Sequence, residues 1–532
     1  MDCNSTRIAY PDTGYFSKII VDYITGAEAL RPFYTHPVNA EGMAAAIHAR
    51  EQFDTDRQLL VEALTTQYGD TPTSESVTAN IRALADNNTF TICIAHQPVI
   101  FTGTLYFIYK ILHAVKLARE CEQLFPGKKF VPVYYMGSED ADLEELGTFY
   151  MGTEKVTWNT TQTGAVGRMK TTGLDKIITR IEGEIGVLPY GKELTDLFRN
   201  SYLQSPDLQT ATFRLINTLF SNYGVVILIP DSALLKSKMI SVFKDDLFNQ
   251  APSQVVSKTI ERLNEHYKVQ ANPREINLFY LKDDIRELIS SEDGVYKVRN
   301  TSLTFTPDQI TAELQEHPER FSPNVILRGL FQEQILPNVA FIGGGGETAY
   351  WLELQDLFKH YNTPYPMLVL RNSFLLINAK WRDRLAKLDL GTHQIFLSAT
   401  ALFNERVKAL SDHQITLNGE VSTLKDTYEK MKEYAAAVDS TLLQHVGALQ
   451  TRALKAIHEL EKKMLRAEKR KFETEERQLK QVKDALFPLN GLQERIDNFI
   501  PWFALYGETF FETIYHHSPA FEQQFTVLTE KG

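Results

Sequence analysis

Hydrophobic positions change their spacing twice along this chain of 532 residues. Residues 1–88 mostly show three- and four-residue spacing, as in AAAIHAREQFDTDRQLLVEALTTQYG, and predict a helical lead-in. From residue 89, short apolar runs alternate with helical stretches: TFTICIA, KKFVPVYYMG, YGVVILIPD, VAFIGG and PMLVLRN. Because helices rather than tight turns separate these runs, they predict parallel strands that are covered on both faces. The expected fold is α/β, with a Rossmann-type parallel sheet as the core over residues 89–380.

Two stretches of this core are longer than simple crossovers. Residues 148–220 contain the hairpin-type sequence TEKVTWNTTQTGAVGRMK, and residues 250–335 contain FYLKDD and GVYKVRN. We predict that both are inserted connecting segments, which build walls around the ligand edge of the sheet.

The spacing changes again after residue 380. Between residues 442 and 486, apolar residues recur at three- and four-residue steps with charged residues on the other faces, which predicts one long helix. The preceding helix, EVSTLKDTYEKMKEYAAAV, would pair with it as an antiparallel hairpin. Residues 381–490 are therefore predicted to form a C-terminal α-helical coiled coil long enough to pair with a second chain, and residues 491–532 to return to the core.

Charge and cysteine content restrict the class of protein. The net charge of −11 argues against a nucleic-acid partner, since phosphate binding needs clustered lysine and arginine. The three cysteines, Cys3, Cys93 and Cys121, are too scattered for a disulfide framework or a zinc site. No basic segment followed by an apolar one stands at the start, and no apolar run has the length of a membrane span. We expect a cytoplasmic protein without a membrane partner.

The first candidate site follows the first predicted strand, in ICIAHQPVIFTG. His96 and Gln97 would stand at the carboxyl edge of the sheet, where ligands bind in open α/β folds. Thr102 and Gly103 precede a predicted helix, whose free N–H groups could receive an anion. The alternative is a histidine that a backbone carbonyl satisfies, and on position alone the two interpretations weigh about evenly.

The second candidate site, VPVYYMGSEDADLEELG, places Ser138, Glu139, Asp140 and Asp142 directly after a strand. Acidic residues in a first helical turn are ordinary stabilisers, and this alternative stays open. Three carboxylates exceed what capping requires, however. They could bind an ammonium group, hold Mg²⁺ or accept a proton from an attacking amine.

The third candidate site is VAFIGGGGETAYW, in which four glycines, Gly343 to Gly346, precede Glu347. Such a loop is expected where the backbone needs positive φ or very close approach, and it matches neither the dinucleotide fingerprint nor a P-loop. Tyr350 could supply a stacking wall. Arg328 and Arg371 follow apolar runs and suit a carboxylate or phosphate, or a structural ion pair. Lys236 and Lys238 are expected on a helix surface.

Several blocks, taken in order, resemble the BshC family of bacillithiol biosynthesis. These blocks are AHQPVIFTGTLYFIYKILHAVKLA, FVPVYYMGSEDADLEELG, GAVGRMK, PREINLFYLKDD, SPNVILRGLFQEQILPN, FIGGGGETAYW, LEKKMLRAEKR and LNGLQERIDNF. The resemblance covers about residues 90–515. It implies a Rossmann core with connecting-peptide insertions, a coiled coil that supports dimerisation, and a cysteine ligase that joins L-cysteine to glucosamine-malate in the last step of the pathway. It also implies that an adenine nucleotide can be bound.

The resemblance places His96, Gln97, Gly103, Glu139, Asp140 and the loop from Gly343 to Glu347 at the substrate cleft. A carboxylate does not react with an amine unless it is activated, so we expect ATP to activate the cysteine carboxylate, with Mg²⁺ as an expected companion and no tightly bound metal. The predicted catalytic residues are His96, Glu139 and Asp140, with Asp140 as the base. The predicted substrate-binding residues are Gln97, Thr102, Gly103, Ser138, Asp142, Arg328, Gly344, Gly345, Gly346, Glu347 and Tyr350.

A nucleotide pocket is predicted at Arg371, Asn372, Ser373, Asn490, Gly491 and Arg495, although the chain has no Walker loop and no clear adenylate-forming signature. The expected assembly is a homodimer through the coiled coil. Two alternatives stay open: a Mg²⁺-dependent nucleotidyl or glycosyl transferase on a Rossmann core, and a non-catalytic coiled-coil scaffold.

Overall fold

The computed structural model describes residues 1–532 and divides the chain into two compact units. The core unit comprises Met1–Leu376 together with Gly491–Gly532, and the helical unit comprises Ile377–Asn490. None of the helices combines the length with the apolar character that crossing a membrane requires.

The first segment is helical except for an opening strand that the sequence pattern did not predict. Its elements are β1 (Cys3–Ala9), α1 (Tyr10–Thr13), α2 (Lys18–Ile24), α3 (Ala40–Glu51), α4 (Arg57–Tyr68) and α5 (Glu75–Ala83). The strand β1 was missed because CNSTRIA is mostly polar, and its partner lies at the other end of the chain.

The core proper starts with the two strands that carry the first two candidate sites. Its first elements are β2 (Thr89–His96), α6 (Tyr106–Leu124), β3 (Lys129–Met136) and α7 (Leu143–Leu146). Every residue of β2 is buried, which explains why the run is apolar throughout rather than alternating.

The first insertion begins with a two-stranded antiparallel hairpin and continues with helices, as predicted. Its elements are β4 (Thr148–Met151), β5 (Glu154–Thr157), α8 (Leu174–Ile185), α9 (Gly191–Phe198) and α10 (Leu208–Phe220). The chain then returns to the sheet and continues through β6 (Val226–Leu228), α11 (Ala233–Lys236) and α12 (Ile240–Asn249).

The second insertion carries a five-stranded sheet of its own, in the order β10-β9-β8-β7-β11. Its elements are α13 (Ala251–Asn264), β7 (Leu278–Lys282), β8 (Ile285–Glu292), β9 (Val295–Val298), β10 (Thr304–Phe305), α14 (Pro307–Glu316), β11 (Phe321–Pro323) and α15 (Val325–Ile335). After it come β12 (Asn338–Gly343), α16 (Gly345–Leu352), α17 (Gln355–His360), β13 (Met367–Leu370) and β14 (Phe374–Ile377).

The central sheet has five strands in the order β13-β12-β2-β3-β6, and every neighbouring pair is parallel. These are the five apolar runs that the sequence pattern identified, so the predicted Rossmann-type core is confirmed. Because all five strands are parallel, their carboxyl ends lie at one edge of the sheet.

The helical unit contains the predicted hairpin. Its helices are α18 (Ala379–Lys387), α19 (Ala399–Leu410), α20 (Asn418–Val438), α21 (Leu442–Lys469) and α22 (Glu473–Leu486). Gln450 of α21 donates to Glu429 of α20 at 3.2 Å, and the backbone N–H of Leu417 donates to Glu461 at 2.7 Å, which fixes the antiparallel register. The prediction of a single helix over residues 442–486 was wrong. Helix α21 ends at Lys469, and α22 begins with an acidic first turn at Glu473.

The last segment returns to the core unit through α23 (Ile500–Tyr506), α24 (Glu508–His517) and β15 (Gln524–Glu530). Strand β15 pairs antiparallel with β1, from Cys3 opposite Glu530 to Ala9 opposite Gln524. Both belong to a three-stranded sheet in the order β1-β15-β14.

Candidate active site

A cavity of about 510 Å³ opens at the carboxyl edge of the parallel sheet. Residues that end or follow β2, β3, β12 and β13 form part of its wall, as expected for a ligand site in an open α/β sheet. The lining residues are Ala95, His96, Gln97, Tyr106, Lys110, Tyr135, Gly137, Ser138, Glu139, Asp140, Glu145, Pro230, Arg286, Pro323, Asn324, Val325, Arg328, Gly344, Gly345, Gly346, Glu347, Tyr350, Arg371 and Arg495.

The cavity brings together the three sequence-predicted candidate sites. The predicted residues in its wall are His96, Gln97, Ser138, Glu139, Asp140, Arg328, Gly344, Gly345, Gly346, Glu347, Tyr350, Arg371 and Arg495. The predicted residues outside its wall are Thr102, Gly103, Asp142, Asn372, Ser373, Asn490 and Gly491.

His96 lies at the end of β2 and is 7% exposed. Its ring stacks on Phe107 with 4.5 Å between centroids, and its Nε2 atom is buried without a hydrogen-bond partner. Burial holds the pKa of His96 well below its ordinary value, and the charges of Lys110 and Arg371 lower it further. The imidazole is therefore neutral at pH 7, with one ring nitrogen free to meet a ligand.

Asp140 is fixed by hydrogen bonds to both carboxylate oxygens. Gln97 Nε2 donates to Oδ2 at 3.2 Å, and the backbone N–H of Asp142 donates to Oδ1 at 3.2 Å. Asp142 itself caps α7, since its Oδ1 accepts from the N–H of Glu145 at 3.0 Å, so it has the ordinary capping role that the sequence left open.

Glu145 lines the cavity but was not among the predicted residues. Partial burial raises the pKa of this carboxyl group, and the neighbouring charges of Asp142 and Asp140 raise it further. It follows Asp142 by three positions, within what looked in the sequence like an exposed acidic helix start.

Glu139 faces the cavity and forms an ion pair with Lys236. The Lys236 side chain is completely buried, so its predicted place on a helix surface was wrong, whereas the Lys238 side chain is 38% exposed. Ser138 is also fully buried, and its Oγ atom has no hydrogen-bond partner. We define the acidic wall as Glu139, Asp140 and Glu145. One of its carboxylates, that of Glu139, is thus ion-paired with a buried lysine.

The glycine loop does not use positive φ. Gly344 has φ −73° and caps α16, and none of the four glycines has φ in the left-handed region. The loop instead needs close approach, because a Cβ atom on Gly343 would lie 3.0 Å from Phe341 Cε1 and 3.1 Å from Glu347 Cβ. The N–H of Gly344 donates to Glu347 Oε2 at 2.8 Å, which closes the first turn.

Gly346 differs from the other glycines of this loop. A Cβ atom built there would meet no protein atom within 4 Å, although the residue lines the cavity. The open space lies beside the first turn of α16, whose N–H groups are not all used within the helix. The position offers a ligand direct access to the backbone.

Apart from Arg286, whose charge interacts with Asp140 and Glu139, four cationic side chains line the cavity: Lys110, Arg328, Arg371 and Arg495. We call this set the cationic wall. Lys110 is buried, pairs with Glu347 and donates to the carbonyl of Ala95 at 3.0 Å, while burial lowers its pKa. Only Glu347 and Glu494 are ion-paired with these four cations, so the wall carries an excess of positive charge.

Arg328 and Arg371 have nitrogen atoms without partners. Arg371 is 3% exposed and pairs with Glu494 at 2.8 Å, but its Nε atom is unpaired. Arg328 donates to the hydroxyl of Tyr350 and has no carboxylate partner, and its Nη1 atom is buried and unpaired. Buried donors in proteins are almost always satisfied, so these atoms point to a ligand.

Thr102 and Gly103 do not reach the cavity, for a local reason. Phe101, Thr102 and Gly103 have φ of 50°, 68° and 64°, a left-handed turn that folds the chain into the core. The hydroxyl of Tyr202 accepts from the N–H of Phe101 at 2.7 Å, and Asn498 donates to the carbonyls of Phe101, at 2.9 Å, and of Gly103. Helix α6 then begins at Tyr106, and Thr102 and Gly103 lie outside the cavity wall.

The predicted nucleotide residues are divided by the fold. Asn372 and Ser373 are each 1% exposed, and their side chains bond within the protein, to the carbonyl of Pro519 and to Arg371. Asn490 belongs to the helical unit, whereas Gly491 begins the returning segment of the core unit. Of this set, only Arg371 and Arg495 line the cavity.

Sequence reasoning also missed Tyr106, Lys110, Arg286 and Asn324, which all line the cavity. Lys110 gave a usable signal, because it is the only charged residue between Leu105 and Val115 in a strongly apolar helix. Arg286 and Asn324 gave no such signal. They belong to the second insertion, and the fold of that insertion decides how close they lie to the sheet.

Comparison with known proteins assigns the chain to a family. The family model for the N-terminal Rossmann-like domain of bacillithiol biosynthesis BshC matches residues 1–372, and the model for its C-terminal coiled-coil domain matches residues 374–530. The chain belongs to the BshC family. Among BshC relatives named "Putative cysteine ligase BshC", the protein of Christiangramia forsetii is 38% identical over 529 residues, covering 98% of both chains. That of Flavobacterium johnsoniae is 39% identical and covers 98% of this chain and 99% of its own, and that of Bacillus cereus strain ATCC 14579 is 24% identical and covers 96% of each.

In this BshC-family protein, a chain of hydrogen bonds from Asp246 through Asn277 fixes Asn324 in the cavity wall. We call these three residues the relay. Asp246 is fully buried and accepts from the backbone N–H of Asn277 at 2.6 Å and from its side chain at 2.9 Å. Asn277 in turn accepts from Asn324 Nδ2 at 2.9 Å. Asn324 caps α15 by accepting from the N–H of Ile326 at 2.9 Å, which sets the start of the helix that carries Arg328.

The relay predicts a pH-dependent contribution to stability. Burial raises the pKa of Asp246 from 3.8 to about 7, although the hydrogen bonds from Asn277 lower it. Since the folded state binds the proton more tightly than the unfolded state, this contribution is present below about pH 4 and is lost as pH rises through 7. We expect the Asp246→Asn variant not to lose this stability as pH rises. The free energy of unfolding of the variant minus that of the wild type should therefore increase by up to about 1.4 kcal/mol per pH unit across that window. Unfolding midpoints of both proteins at pH 5 and pH 8 measure the difference.

The exposed variant Asp308→Asn is the matched control, because it removes the same charge without touching the relay. A difference between wild type and Asp246→Asn that does not change from pH 5 to pH 8 would show that Asp246 stays ionised in the folded protein.

Proposed function

We propose that this BshC-family protein is a carbon-nitrogen ligase that joins L-cysteine to the amine of glucosamine-malate, in the last step of bacillithiol biosynthesis. The observation that supports this most is that both the acidic wall and the cationic wall line one cavity, with buried unpaired nitrogen atoms on Arg328 and Arg371. Substrates that carry both ammonium and carboxylate groups need both kinds of wall. The names of the curated relatives support the same activity.

The cationic wall suits the carboxylates of the sugar substrate. Arg328 has no carboxylate partner and its Nη1 atom is buried, and a desolvated cation without a counter-charge is unfavourable until an anion arrives. Arg328 Nη1 is free to donate, and the first turn of α16 adds N–H groups at Gly346. Charge-assisted hydrogen bonds from arginine would fix the orientation of the malyl group.

The acidic wall suits the amine groups. An amine must lose a proton before or during its attack on a carboxyl carbon, so a carboxylate must be within reach. In this proposal Asp140 accepts that proton, because Gln97 and the backbone of Asp142 hold its carboxylate in place at the cavity. Neutral His96 donates or accepts one hydrogen bond through Nε2 but is a weak base, given its lowered pKa.

Activation of the cysteine carboxylate requires an energy source, and ATP would supply it. Arg371, whose Nε atom is unpaired, and Arg495 have the charge and the N–H groups that phosphate oxygens need, so the residues present fit such a group. In this proposal Arg371 and Arg495 would hold the phosphates, with Mg²⁺ as companion.

The proposal extends to the assembly. The hairpin of α20 and α21 exposes large apolar side chains and has no buried residue except Glu468. Those that are at least 39% exposed are Met431, Tyr434, Val438, Leu442, Leu443, Leu449 and Leu460. A second copy of the chain would cover this surface in a homodimer.

The test is direct synthesis. Purified protein is incubated with L-cysteine, glucosamine-malate, ATP and Mg²⁺, and bacillithiol is measured by mass spectrometry. We expect product with the wild type and a loss of at least about 100-fold with Asp140→Asn. The same variant, placed in cells that lack the gene, should leave glucosamine-malate accumulated.

The matched control is Asp308→Asn, which removes an exposed carboxylate from another part of the core unit. Unchanged thiols in cells without the gene, or no product from the purified wild type with every substrate present, would contradict the proposed function.

A further inference from the structure

A cluster of four buried or half-buried charges lies behind the acidic wall. Lys236 is completely buried, pairs with Glu139 and donates to the backbone carbonyl of Glu319 at 2.9 Å. Its Nζ atom also lies 3.8 Å from Asp231 Oδ1. Asp231 follows β6 and is held by Arg168, whose Nε and Nη2 atoms each donate to it at 2.6 Å.

The cluster connects parts of the chain that are far apart in sequence. Glu139 comes from the loop after β3, Arg168 from the first insertion, and Lys236 from α11. The segment of Arg168 also holds the acidic loop by its backbone, since the N–H groups of Val166 and Gly167 donate to the carbonyls of Asp140 and Ser138 at 2.7 and 2.9 Å. The contact is so close that a Cβ atom on Gly167 would lie 2.4 Å from the Ser138 oxygen.

The two anions of the cluster, Asp231 and Glu139, differ in the number of cations that pair with them. Asp231 has two charge-assisted bonds from Arg168 and does not depend on Lys236. Glu139 has Lys236 as its only ion-pair partner, and its side chain is 10% exposed on the cavity side. Loss of Lys236 would therefore leave the Glu139 carboxylate without an ion-pair partner, with only the more distant charges of Arg168 and Arg286 near it.

We infer that Lys236 is a positioning residue for the proposed ligase, which fixes the carboxylate of Glu139 at the cavity so that Glu139 can bind an ammonium group of a substrate. The inference rests on the proposed function. Lys236 cannot contact substrate itself, because it has no exposed surface and is absent from the cavity wall. In this inference its effect on turnover passes through Glu139, and not through its contacts with Glu319 and Asp231.

A double-mutant cycle tests this dependence. The variants are Lys236→Met, which removes the charge and keeps the length of the side chain, Glu139→Gln, and the double variant. We expect each single variant to lower kcat/KM by at least about 100-fold, and the double variant to be within about threefold of Glu139→Gln. Lys238→Met, two residues away on a half-exposed side chain, should retain wild-type kcat/KM.

Thermal unfolding of the wild type, Lys236→Met, Glu139→Gln and the double variant gives a readout independent of activity. Lys236→Met should unfold at a lower temperature than wild type, and the double variant should recover part of that loss because no unpaired carboxylate is left. If Lys236→Met does not fold, the comparison of Glu139→Gln with the double variant is decisive, since Lys236 should then contribute less than threefold.

Three results would overturn the inference. They are a Lys236→Met protein with kcat/KM within threefold of wild type, a further loss of tenfold or more when Lys236→Met is added to Glu139→Gln, and a double variant that unfolds below Lys236→Met. An inactive wild type would instead contradict the proposed function, and the unfolding cycle would still decide whether Lys236 and Glu139 are coupled.

Discussion

The Arg328→Met variant should lose turnover by about 10²- to 10³-fold without losing stability. Arg328 is the half-buried guanidinium of the cationic wall that has no carboxylate partner, and its Nη1 atom is buried with no hydrogen bond within the protein. A buried charge of this kind weakens the fold, whereas it can stabilise an anionic group of the substrate strongly in a site that excludes water. Replacement by a methionine of similar length removes the functional charge and the unfavourable burial together.

The measurement pairs kcat/KM for bacillithiol formation with the thermal unfolding midpoint. We expect kcat/KM to fall as stated, while the midpoint stays equal to that of wild type or rises. Arg299→Met, at an exposed position of the second insertion, is the matched control and should change neither quantity. A large fall in the midpoint of Arg328→Met would show that its guanidinium serves the fold, and unchanged kcat/KM would remove Arg328 from the site.

The Gly346→Ala variant should raise KM at least about tenfold while making the protein slightly more stable. Alanine in place of glycine within a helix stabilises by about 1 kcal/mol, and the new methyl group would meet no protein atom within 4 Å. The methyl group would, however, occupy the open space through which a ligand reaches the N–H groups of α16.

Gly183→Ala is the matched control for this variant. Gly183 lies within α8, and a Cβ atom there also meets nothing within 4 Å, but the residue is not in the cavity wall. Both variants should therefore unfold at or above the wild-type temperature, and only Gly346→Ala should bind substrate more weakly. Equal KM values for the two variants would show that no ligand approaches α16 at this turn.

The sequence predicted the parallel core because five apolar runs keep their character when both faces of a strand are buried. The same logic placed His96, Asp140 and Glu347 at one edge, since the carboxyl ends of parallel strands must coincide. It did not place Thr102 and Gly103, because the left-handed turn at Phe101 depends on Tyr202 and on Asn498, nearly 400 residues away.

The charges behind the acidic wall were beyond sequence reasoning for a related reason. Lys236 looks like an ordinary helix-surface lysine, and only the fold shows that Glu139 and Asp231 surround it. The local pattern around residue 470 also failed, because apolar spacing continues on both sides of Phe472 although the helix does not. Local periodicity indicates elements well, but partners across the chain decide which side chains are buried.

The pairing of β1 with β15 has a consequence for biosynthesis. Strand β1 leaves the ribosome about 500 residues before its partner exists, so at typical rates of protein synthesis it waits on the order of a minute. During that time its hydrogen-bonding edges are open, and the three-stranded sheet β1-β15-β14 can form only when β15 has emerged. The mostly polar sequence CNSTRIA keeps this waiting strand soluble, which gives a reason for a composition that concealed it from pattern analysis.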